Sequence, residues 1–262
     1  MIDLSRRERG PLRIGHRGAA ALAPENTLCS FRAAIEAGVD LIEFDVLDLR
    51  QGPLVLAHSD HLDEVSHGAA KGRVRDLSLA DLRAIAPELP TLDDALEFFV
   101  DEAPEIGLHV DLKLRARLDE LGAAIVRHGL EARTVVSSVH VQDLQAVARV
   151  APRVRIGLTY PDDRLSISRK PYLWPMVSLG LTSMRASLPL RLPRLARRAG
   201  AGAVMLQHRL VTESSVSRAH AEGLPVLAWT EDEPADFERV VAAGVDGVIT
   251  NDPRIFVATL DS

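Results

Sequence analysis

The sequence is poor in the features that mark secreted and membrane proteins. Its single cysteine, Cys29, excludes an internal disulfide and fits a reducing compartment. No uninterrupted apolar stretch is long enough to span a membrane. Residues 1–13 are charged and lack an apolar core, which predicts that they are not a secretory signal. We therefore expect a cytoplasmic protein.

Acidic residues are also missing from one long stretch, between Asp163 and Glu213. The positive charges of that stretch are Arg164, Arg169, Lys170, Arg185, Arg191, Arg194, Arg197, Arg198 and Arg209. Two interpretations fit this basic excursion, residues 160–200, which includes the apolar run Tyr172–Val177. It is either a helix packed on the core with a solvated basic face, or a lid that contacts anionic lipid or a phosphate-bearing substrate. The second interpretation would bring a peripheral membrane contact.

The amino-acid composition suits a globular protein with a sizeable core. Of the 262 residues, 47% are hydrophobic and 26% are charged. The net charge of −6 argues against a general nucleic-acid binder, whose surface would be basic. Composition does not indicate an oligomeric state.

Short apolar segments that fit β-strands alternate with segments that fit helices. The strand candidates are Arg13–His16, Leu41–Val46, Leu108–Leu112, Thr134–Ser138, Val154–Leu158, Ala203–Leu206, Leu224–Ala228 and Gly247–Thr250. The helix candidates are Thr27–Ala37, Leu92–Val100, Arg117–His128, Val141–Val150 and Glu213–Glu222. This alternation indicates a parallel sheet, and eight such units in this length fit a (β/α)8 barrel. We predict an α/β fold, one TIM-barrel domain over residues 1–262.

Two of the strand candidates carry polar side chains on one face. Alternation along a strand places Glu43 and Asp45 together, and likewise His109, Asp111 and Lys113. Such a strand is usually half exposed, with its acids in water. If both strands are central, however, their polar faces must point into a site. Carboxylates side by side repel each other unless a cation or a proton lies between them.

The carboxyl ends of barrel strands form the active site in this fold. His16 ends one strand candidate, and His58 follows a short added strand, Leu54–Ala57. The polar, glycine-punctuated segment 59–90 is then expected to form a small cap over the site. Two imidazoles, Arg17 and a carboxylate pair are the groups needed for metal-assisted cleavage of an anionic ester.

These residues give the chain a resemblance to the glycerophosphodiester phosphodiesterase family. The matching pieces are His16-Arg17-Gly18, Pro24-Glu25-Asn26-Thr27, Ile42-Glu43-Phe44-Asp45-Val46, His58, Val110-Asp111-Leu112-Lys113, Leu227-Ala228-Trp229-Thr230 and Gly244–Thr250. They cover most of the chain, from about Arg13 to Pro253. A lone His-Arg-Gly would be weak evidence, but many spaced positions agree in order.

The chain departs from the family pattern at four places. Ser59 stands where Asp usually follows the second histidine, and Asp111 stands where the third metal ligand is commonly Glu. Asp232 occupies a position that often holds Asn, and Leu49 with Gln51-Gly52 replaces a Thr and an Asp-Gly turn.

The resemblance implies a metal-dependent phosphodiesterase that releases an alcohol and glycerol 3-phosphate from a small-molecule glycerophosphodiester. His16 and His58 would share the proton transfers, with either one as the base. The attacking group would be the glycerol 2-hydroxyl of the substrate, which gives a cyclic phosphate. Glu43, Asp45 and Asp111 are hard oxygen ligands that suit Mg²⁺ or Ca²⁺.

The remaining substrate contacts are expected from three residues. Arg17 and Lys113 would bind the phosphate, and Trp229 would cover the glycerol or the head group, or else only pack at the end of the barrel. Two other functions remain open. One is a lysophospholipase D-type or other phospholipid-cleaving activity with a lysophospholipid substrate. The other is a phosphate-binding barrel without turnover.

Overall fold

Nine β-strands are present in a computed structural model that describes residues 1–114, 116–161 and 174–259. They are β1 (Leu12–His16), β2 (Leu41–Asp48), β3 (Leu54–Leu56), β4 (Gly107–Leu112), β5 (Thr134–Ser138), β6 (Arg155–Tyr160), β7 (Ala203–Gln207), β8 (Val226–Trp229) and β9 (Gly247–Thr250). All eight predicted barrel strands are found, with ends that differ from the predicted ones by at most two residues.

The helices alternate with these strands. They are α1 (Leu28–Glu36), α2 (Leu62–Val65), α3 (Leu79–Ile85), α4 (Leu92–Asp101), α5 (Leu118–Arg127), α6 (Val141–Val150), α7 (Trp174–Ala199), α8 (Glu213–His220) and α9 (Pro234–Ala242). Helix α9 was not predicted, although Pro234 at its start and its amphipathic pattern are typical helix signals. No helix in the described ranges is both long enough and apolar enough to cross a membrane.

The sheet closes into a barrel. Strand β1 pairs in parallel with both β2 and β9, and the other barrel strands follow in the order β9, β8, β7, β6, β5, β4, β2. Strand β3 lies outside the ring as an antiparallel partner of β2. The predicted (β/α)8 barrel is therefore confirmed.

The barrel interior has an apolar layer beneath a polar one. Ile14 and Leu41 pair across β1 and β2, and they pack with Met205, Leu227 and Leu4 in one buried cluster. Leu4 comes from the segment before β1 and is fully buried against this layer. Two residues further along the same strands, inward-facing positions are polar. The apolar layer therefore forms a floor under the polar end of the barrel.

The outward faces of β2 and β4 bury the main core. Phe44 lies in a cluster of aromatic rings with Phe31 of α1 and with Phe99 of α4, at centroid distances of 5.6 and 5.7 Å. Ile42, Val46 and the apolar residues of β4 belong to the same cluster. The apolar sides of both strands thus face the helices, which leaves their polar sides for the barrel interior.

Segment 59–90 folds beside the barrel with an apolar cluster of its own. Val55 and Leu49, next to the hairpin, pack against Leu62, Val74 and Leu82 of the segment. Helices α2 and α3 and one turn of 3-10 helix, Val74–Asp76, make up its regular structure. His58 is therefore carried by the hairpin and this segment, and not by a barrel strand.

The described part of the basic excursion is helix α7. Leu188, Leu192 and Ala196 are buried in a cluster with β7 and α8, whereas arginines such as Arg191 and Arg194 are exposed. This arrangement is the one expected of a helix packed on the core with a solvated basic face. Residues 162–173 and the side chains of residues 174–179 and 181 lie outside the described part. The described part of the helix therefore does not test the lid interpretation.

The same four-residue turn, Ala-Gly-Val-Asp, precedes both β2 and β9. The sequences Ala37–Asp40 and Ala243–Asp246 both pass through a glycine with positive φ, +78° at Gly38 and +88° at Gly244. Each ends in an aspartate whose Oδ2 accepts a hydrogen bond from the backbone of the neighbouring strand. The donor is the Arg13 amide for Asp40, at 2.9 Å, and the Val226 amide for Asp246, at 2.8 Å. The sequence repeat therefore reflects a shared strand-start geometry.

Asp40→Asn is expected to destabilise the fold by about 3 kcal/mol at pH 7, because it leaves the buried Arg13 guanidinium without its counter-charge. Burial raises the pKa of Asp40, but hydrogen bonds from Arg13 outweigh it and hold the pKa below its usual value. The stabilisation is thus complete above the ordinary aspartate pKa and is lost as the pH falls through the depressed one. Urea unfolding of both proteins from pH 7 to pH 3 measures it. A difference that does not shrink in acid would contradict the ion-pair origin.

Candidate active site

Three carboxylates meet at the carboxyl ends of β2 and β4. Glu43, Asp45 and Asp111, called here the acid cluster, place one oxygen each within 4.8 Å of one another. The strand register aligns Asp45 with Asp111 and Glu43 with His109. Glu43 is 4% exposed and Asp45 is 1% exposed, so these acids are not in bulk water. The interpretation of the strand pattern as a half-exposed surface is wrong here.

Asp45 is held by partners on three sides. The Asn26 amide group donates to its Oδ2 at 3.0 Å, and the Asp45 backbone N–H donates back to Asn26 Oδ1 at 3.0 Å. Arg17 Nε lies 3.1 Å from Oδ2, and Lys113 Nζ lies 3.2 Å from Oδ1. Burial raises the pKa of Asp45, but Lys113 and Arg17 outweigh it and hold the pKa below its usual value. Asp45 is therefore ionised.

Asp111 is oriented by a hydrogen-bond relay from inside the barrel. Ser137 donates its hydroxyl proton to Asp111 Oδ1 at 2.6 Å, so its oxygen accepts from His109 Nε2 at 2.8 Å. Burial lowers the pKa of His109 to about 4, which keeps the ring neutral with its proton on Nε2. Lys113 donates to the other oxygen, Oδ2, at 2.5 Å. The shorter arm of Asp111 is thus fixed at both oxygens.

The acid cluster needs a cation or a proton to offset its negative charge. Burial raises the pKa of Glu43 well above its usual value, and the charges of Asp45 and Asp111 raise it further. The nearby cations, Arg17 and Lys113, pair with Asp45 and Asp111 and leave Glu43 short of compensation. Three hard oxygen donors in such a position could hold a divalent metal ion. A bound ion would let all three acids ionise together.

The loop after β1 is shaped by its contact with helix α1. Ser30 donates its hydroxyl to the Arg17 carbonyl at 2.8 Å, and Thr27 and Ser30 form a capping box at the start of the helix. Gly18 has a φ of +85°, and a Cβ at that position would lie 2.3 Å from Ser30 Oγ. The turn therefore requires glycine. It places the Arg17 backbone N–H 2.9 Å from Glu43 Oε2, to which it donates.

His16 is anchored from the opposite end of the chain. Its Nδ1 lies 2.6 Å from Asn251 Oδ1, while Asn251 Nδ2 donates to Asp232 Oδ2 at 2.7 Å. Because a carboxylate only accepts, the Asn251 amide must turn its N–H₂ toward Asp232 and its oxygen toward His16. His16 then carries its proton on Nδ1, and its Nε2 lone pair faces the site, 3.8 Å from Glu43 Oε2. Burial, then Arg17, lower the pKa of His16 to about 4, which leaves Nε2 free to accept a proton.

His58 is oriented by the segment beside the barrel. Its Nδ1 lies 3.3 Å from Glu64 Oε2, an oxygen that also accepts from the Ser59 hydroxyl at 2.7 Å. The serine that replaces the family's aspartate thus supports the carboxylate that orients the histidine. Because Glu64 accepts at Nδ1, the other ring nitrogen is available to the site. Burial lowers the pKa of His58.

Arg17 and His58 line an open cleft of about 720 Å³. Arg17 is also paired with Glu25 at its rim, with Nη1 2.7 Å from Oε2. This volume is within the usual range for a small-molecule site. Trp229 lies at the end of β8, half-buried against the apolar floor, and its Nε1 has no hydrogen-bond partner among the described residues.

The structure brings most of the predicted site residues together. His16, Arg17 and Lys113 contact the acid cluster, and His58 lies on the cleft shared with Arg17. Sequence reasoning named His109, Asp232 and Asn26 without finding their contacts to Ser137, Asn251 and Asp45. It missed Ser137, Asn251 and Glu64 altogether. The strand-end rule could have found Ser137 and Asn251, because both lie at the carboxyl ends of predicted strands. Nothing in the sequence marks Glu64.

Comparisons with known proteins agree on one family. The model of the glycerophosphoryl diester phosphodiesterase family matches residues 16–255. A glycerophosphodiester phosphodiesterase from Caldanaerobacter subterraneus is 28% identical over 93% of this chain and 95% of its own length. A probable glycerophosphodiester phosphodiesterase from Mycobacterium tuberculosis is also 28% identical, over 93% of this chain and 90% of its own.

Solved structures give the same result. The crystal structure of a putative glycerophosphoryl diester phosphodiesterase from Silicibacter pomeroyi superposes with a TM-score of 0.78 at 27% identity. The match covers 98% of this chain and 96% of that one. With the family model matching nearly the whole chain, the protein belongs to the glycerophosphoryl diester phosphodiesterase family and is a phosphoric diester hydrolase.

Proposed function

We propose that this enzyme hydrolyses small glycerophosphodiesters to an alcohol and glycerol 3-phosphate, with Mg²⁺ or Ca²⁺ held by Glu43, Asp45 and Asp111. The observation that carries the proposal is the position of His16. Its tautomer is set by Asn251, and its Nε2 lies 3.8 Å from an acid of the cluster. A neutral imidazole beside a cation-binding group of oxygens suits proton removal from a hydroxyl next to a bound phosphate.

Each residue contributes a different part of the reaction. The metal ion would bind a phosphate oxygen and offset the charge that develops in the transition state. Arg17 and Lys113 add positive charge beside the acid cluster, and the planar guanidinium of Arg17 can donate two hydrogen bonds to phosphate oxygens. His16 accepts at Nε2 the proton of the attacking glycerol 2-hydroxyl, and the attack gives a cyclic phosphate as the alcohol leaves. His58 acts in its imidazolium form, in which Nδ1 donates to Glu64 and the other nitrogen gives its proton to the departing alkoxide. Water then opens the cyclic phosphate to glycerol 3-phosphate, with the two histidines in exchanged roles.

Trp229, at the end of β8, is proposed to contact the alcohol part of the substrate. Trp229 offers an apolar face and an indole N–H without a partner among the described residues, which supports a role against glycerol or the head group. The cytoplasmic location and a peripheral membrane contact stay predictions from the sequence. The interpretation as a binding barrel without turnover is not carried further, because the chain belongs to a hydrolase family.

A lysophospholipid is the second candidate substrate. A smaller cavity of about 210 Å³ adjoins His58, and residues such as Leu56, Ile85 and Leu89 give it an apolar side. An acyl chain would find apolar contacts there. The volume is below the usual range for a drug-sized ligand, which favours the short glycerophosphodiester.

The test compares glycerophosphocholine with lysophosphatidylcholine after chelation and re-addition of Mg²⁺ or Ca²⁺. We expect faster release of choline from glycerophosphocholine, no turnover in the chelator, and recovery with one or both ions. A strong preference for the acylated substrate would replace the first candidate by the second. Full activity in the presence of chelator would contradict the metal-assisted mechanism.

Asn251→Ala is expected to lower kcat about 10²-fold with little change in KM, because the His16 ring loses the acceptor that fixes its proton on Nδ1. The substrate phosphate makes no contact with Asn251 in this proposal, so binding is retained. Initial-rate kinetics over a range of substrate concentrations separate the two constants. Asp252→Asn, at the next residue, is the control and should behave like the wild type. A rise in KM alone would show that Asn251 contacts substrate and does not orient His16.

A further inference from the structure

A second group of metal-ligand side chains lies apart from the acid cluster and shares no residue with it. His208, Glu231 and Asp236, called here the second cluster, place one ligand atom each within 4.8 Å of one another. His208 follows β7, Glu231 follows β8, and Asp236 is in the first turn of α9. Three separate segments at the carboxyl end of the barrel thus converge on one point.

The burial of Glu231 is the observation that points to a ligand at the second cluster. It is 0% exposed, and neither of its carboxylate oxygens has a hydrogen-bond partner among the described residues. A carboxylate buried without partners is costly, because its charge has lost water and gained nothing in exchange. Glu231 Oε2 points at His208 Nδ1, 3.3 Å away, and this nitrogen has no hydrogen-bond partner among the described residues either.

An imidazolium ion pair accounts for this geometry less well than a shared metal ion does. Asp236 Oδ2 lies 3.7 Å from the same His208 Nδ1, so two carboxylates approach one nitrogen that has only one proton to give. The other oxygen, Asp236 Oδ1, accepts from Arg239 Nε at 3.1 Å and Nη2 at 3.0 Å. Oδ2 is thereby turned toward the cluster. Arg239 also donates to the His208 carbonyl at 3.3 Å, so it braces two of the three ligands.

We propose that His208 Nδ1, Glu231 and Asp236 bind a divalent transition-metal ion of the Zn²⁺ type, with water completing the coordination. One imidazole nitrogen and two carboxylates are a donor set for zinc-like ions. The acid cluster offers oxygen alone, which suits Mg²⁺ or Ca²⁺. The ion ties β7, β8 and α9 together and compensates the buried charge of Glu231. This site is independent of the proposed reaction, so either proposal can fail without the other.

The experiment uses chelated, full-length protein in excess Mg²⁺, so that the acid cluster is occupied before Zn²⁺ is titrated by calorimetry. Four proteins are compared: the wild type, Glu231→Gln, Asp236→Asn and the control Glu238→Gln, which changes an exposed residue of the same helix. We expect Glu231→Gln to lose one Zn²⁺ equivalent per chain, and Asp236→Asn to bind that equivalent at least about 10-fold more weakly. The control should match the wild type. The exposed Cys29 is common to all four, so its contribution cancels.

Thermal unfolding provides a readout that does not depend on activity. Zn²⁺ is expected to raise Tm for the wild type and for Glu238→Gln and to have less effect on the two cluster variants, because a ligand that binds only the folded state stabilises it. Asp236 is partly exposed, so Asp236→Asn keeps the test valid if Glu231→Gln fails to fold. Equal Zn²⁺ binding by the wild type and Asp236→Asn would overturn the proposal. So would complete competition by Mg²⁺, or no Zn²⁺ binding to the wild type.

Discussion

His58→Ala is expected to lower kcat for glycerophosphocholine by about 10²–10⁴-fold, because choline would then leave as an alkoxide without a proton donor. The same variant should lose only about tenfold or less on the p-nitrophenyl ester of glycerol 3-phosphate. Nitrophenolate is a stable anion and needs little help from an acid, as Brønsted behaviour requires. Steady-state kinetics on both substrates measure the two losses.

His16→Ala provides the contrast that separates the two roles. The attacking hydroxyl must lose its proton whichever alcohol departs, so this variant should lose activity on both substrates alike. His61→Ala is a matched control, because His61 is an exposed histidine in the segment that carries Glu64. Equal losses of His58→Ala on both substrates would remove the acid role from His58. A leaving-group dependence in His16→Ala in place of His58→Ala would exchange the two roles.

Asp45→Asn is expected to lower kcat/KM on the order of 10³-fold and to weaken metal binding. The substitution removes a negative charge from the proposed metal site and from the partner of Arg17 and Lys113, the groups proposed to stabilise the transition state. Asp45 is the acid that Arg17, Lys113 and Asn26 all contact. The variant keeps the side-chain shape, so circular dichroism should report an unchanged fold. Activity titrations with Mg²⁺ and Ca²⁺, together with calorimetry, give the change in affinity.

The control for this substitution is Asp101→Asn, which removes a negative charge at the exposed end of α4. It should leave both metal affinity and kcat/KM at the wild-type level. Wild-type metal affinity together with wild-type kcat/KM in Asp45→Asn would mean that the ion is bound elsewhere, and the assignment of the acid cluster would then be wrong. A loss of kcat/KM with unchanged affinity would restrict Asp45 to positioning Arg17 and Lys113.

The barrel and the acid cluster were within reach of the sequence because they follow from local patterns. Alternation along β2 fixes which face Glu43 and Asp45 share, and the same rule applies to Asp111 in β4. The fold rule then brings the strand ends together. For the basic excursion, the run of positive charges without acids gave the helix with a solvated basic face as one of two interpretations.

Other parts of the site depend on contacts that no local pattern specifies. Asn251 reaches His16 across 235 positions of sequence, and this contact is what assigns the tautomer. From the sequence alone, either His16 or His58 could therefore be the base and the other the acid. Glu64 and Glu231 look like ordinary loop or helix acids in the sequence. Glu231 is distinguished by its burial beside His208 Nδ1, and Glu64 by its contact with His58 Nδ1. Both contacts depend on the packing of separate segments.

The apolar floor under the acids gives the segment before β1 an indirect influence on chemistry. Leu4, Ile14 and Leu41 are almost fully buried in this layer, on the amino-terminal side of the acids. A smaller side chain at Leu4 is expected to leave a cavity in this layer and to loosen the packing beneath the strand that carries Glu43. Substitutions at this end of the barrel can therefore change metal affinity as well as stability, and both quantities should be measured.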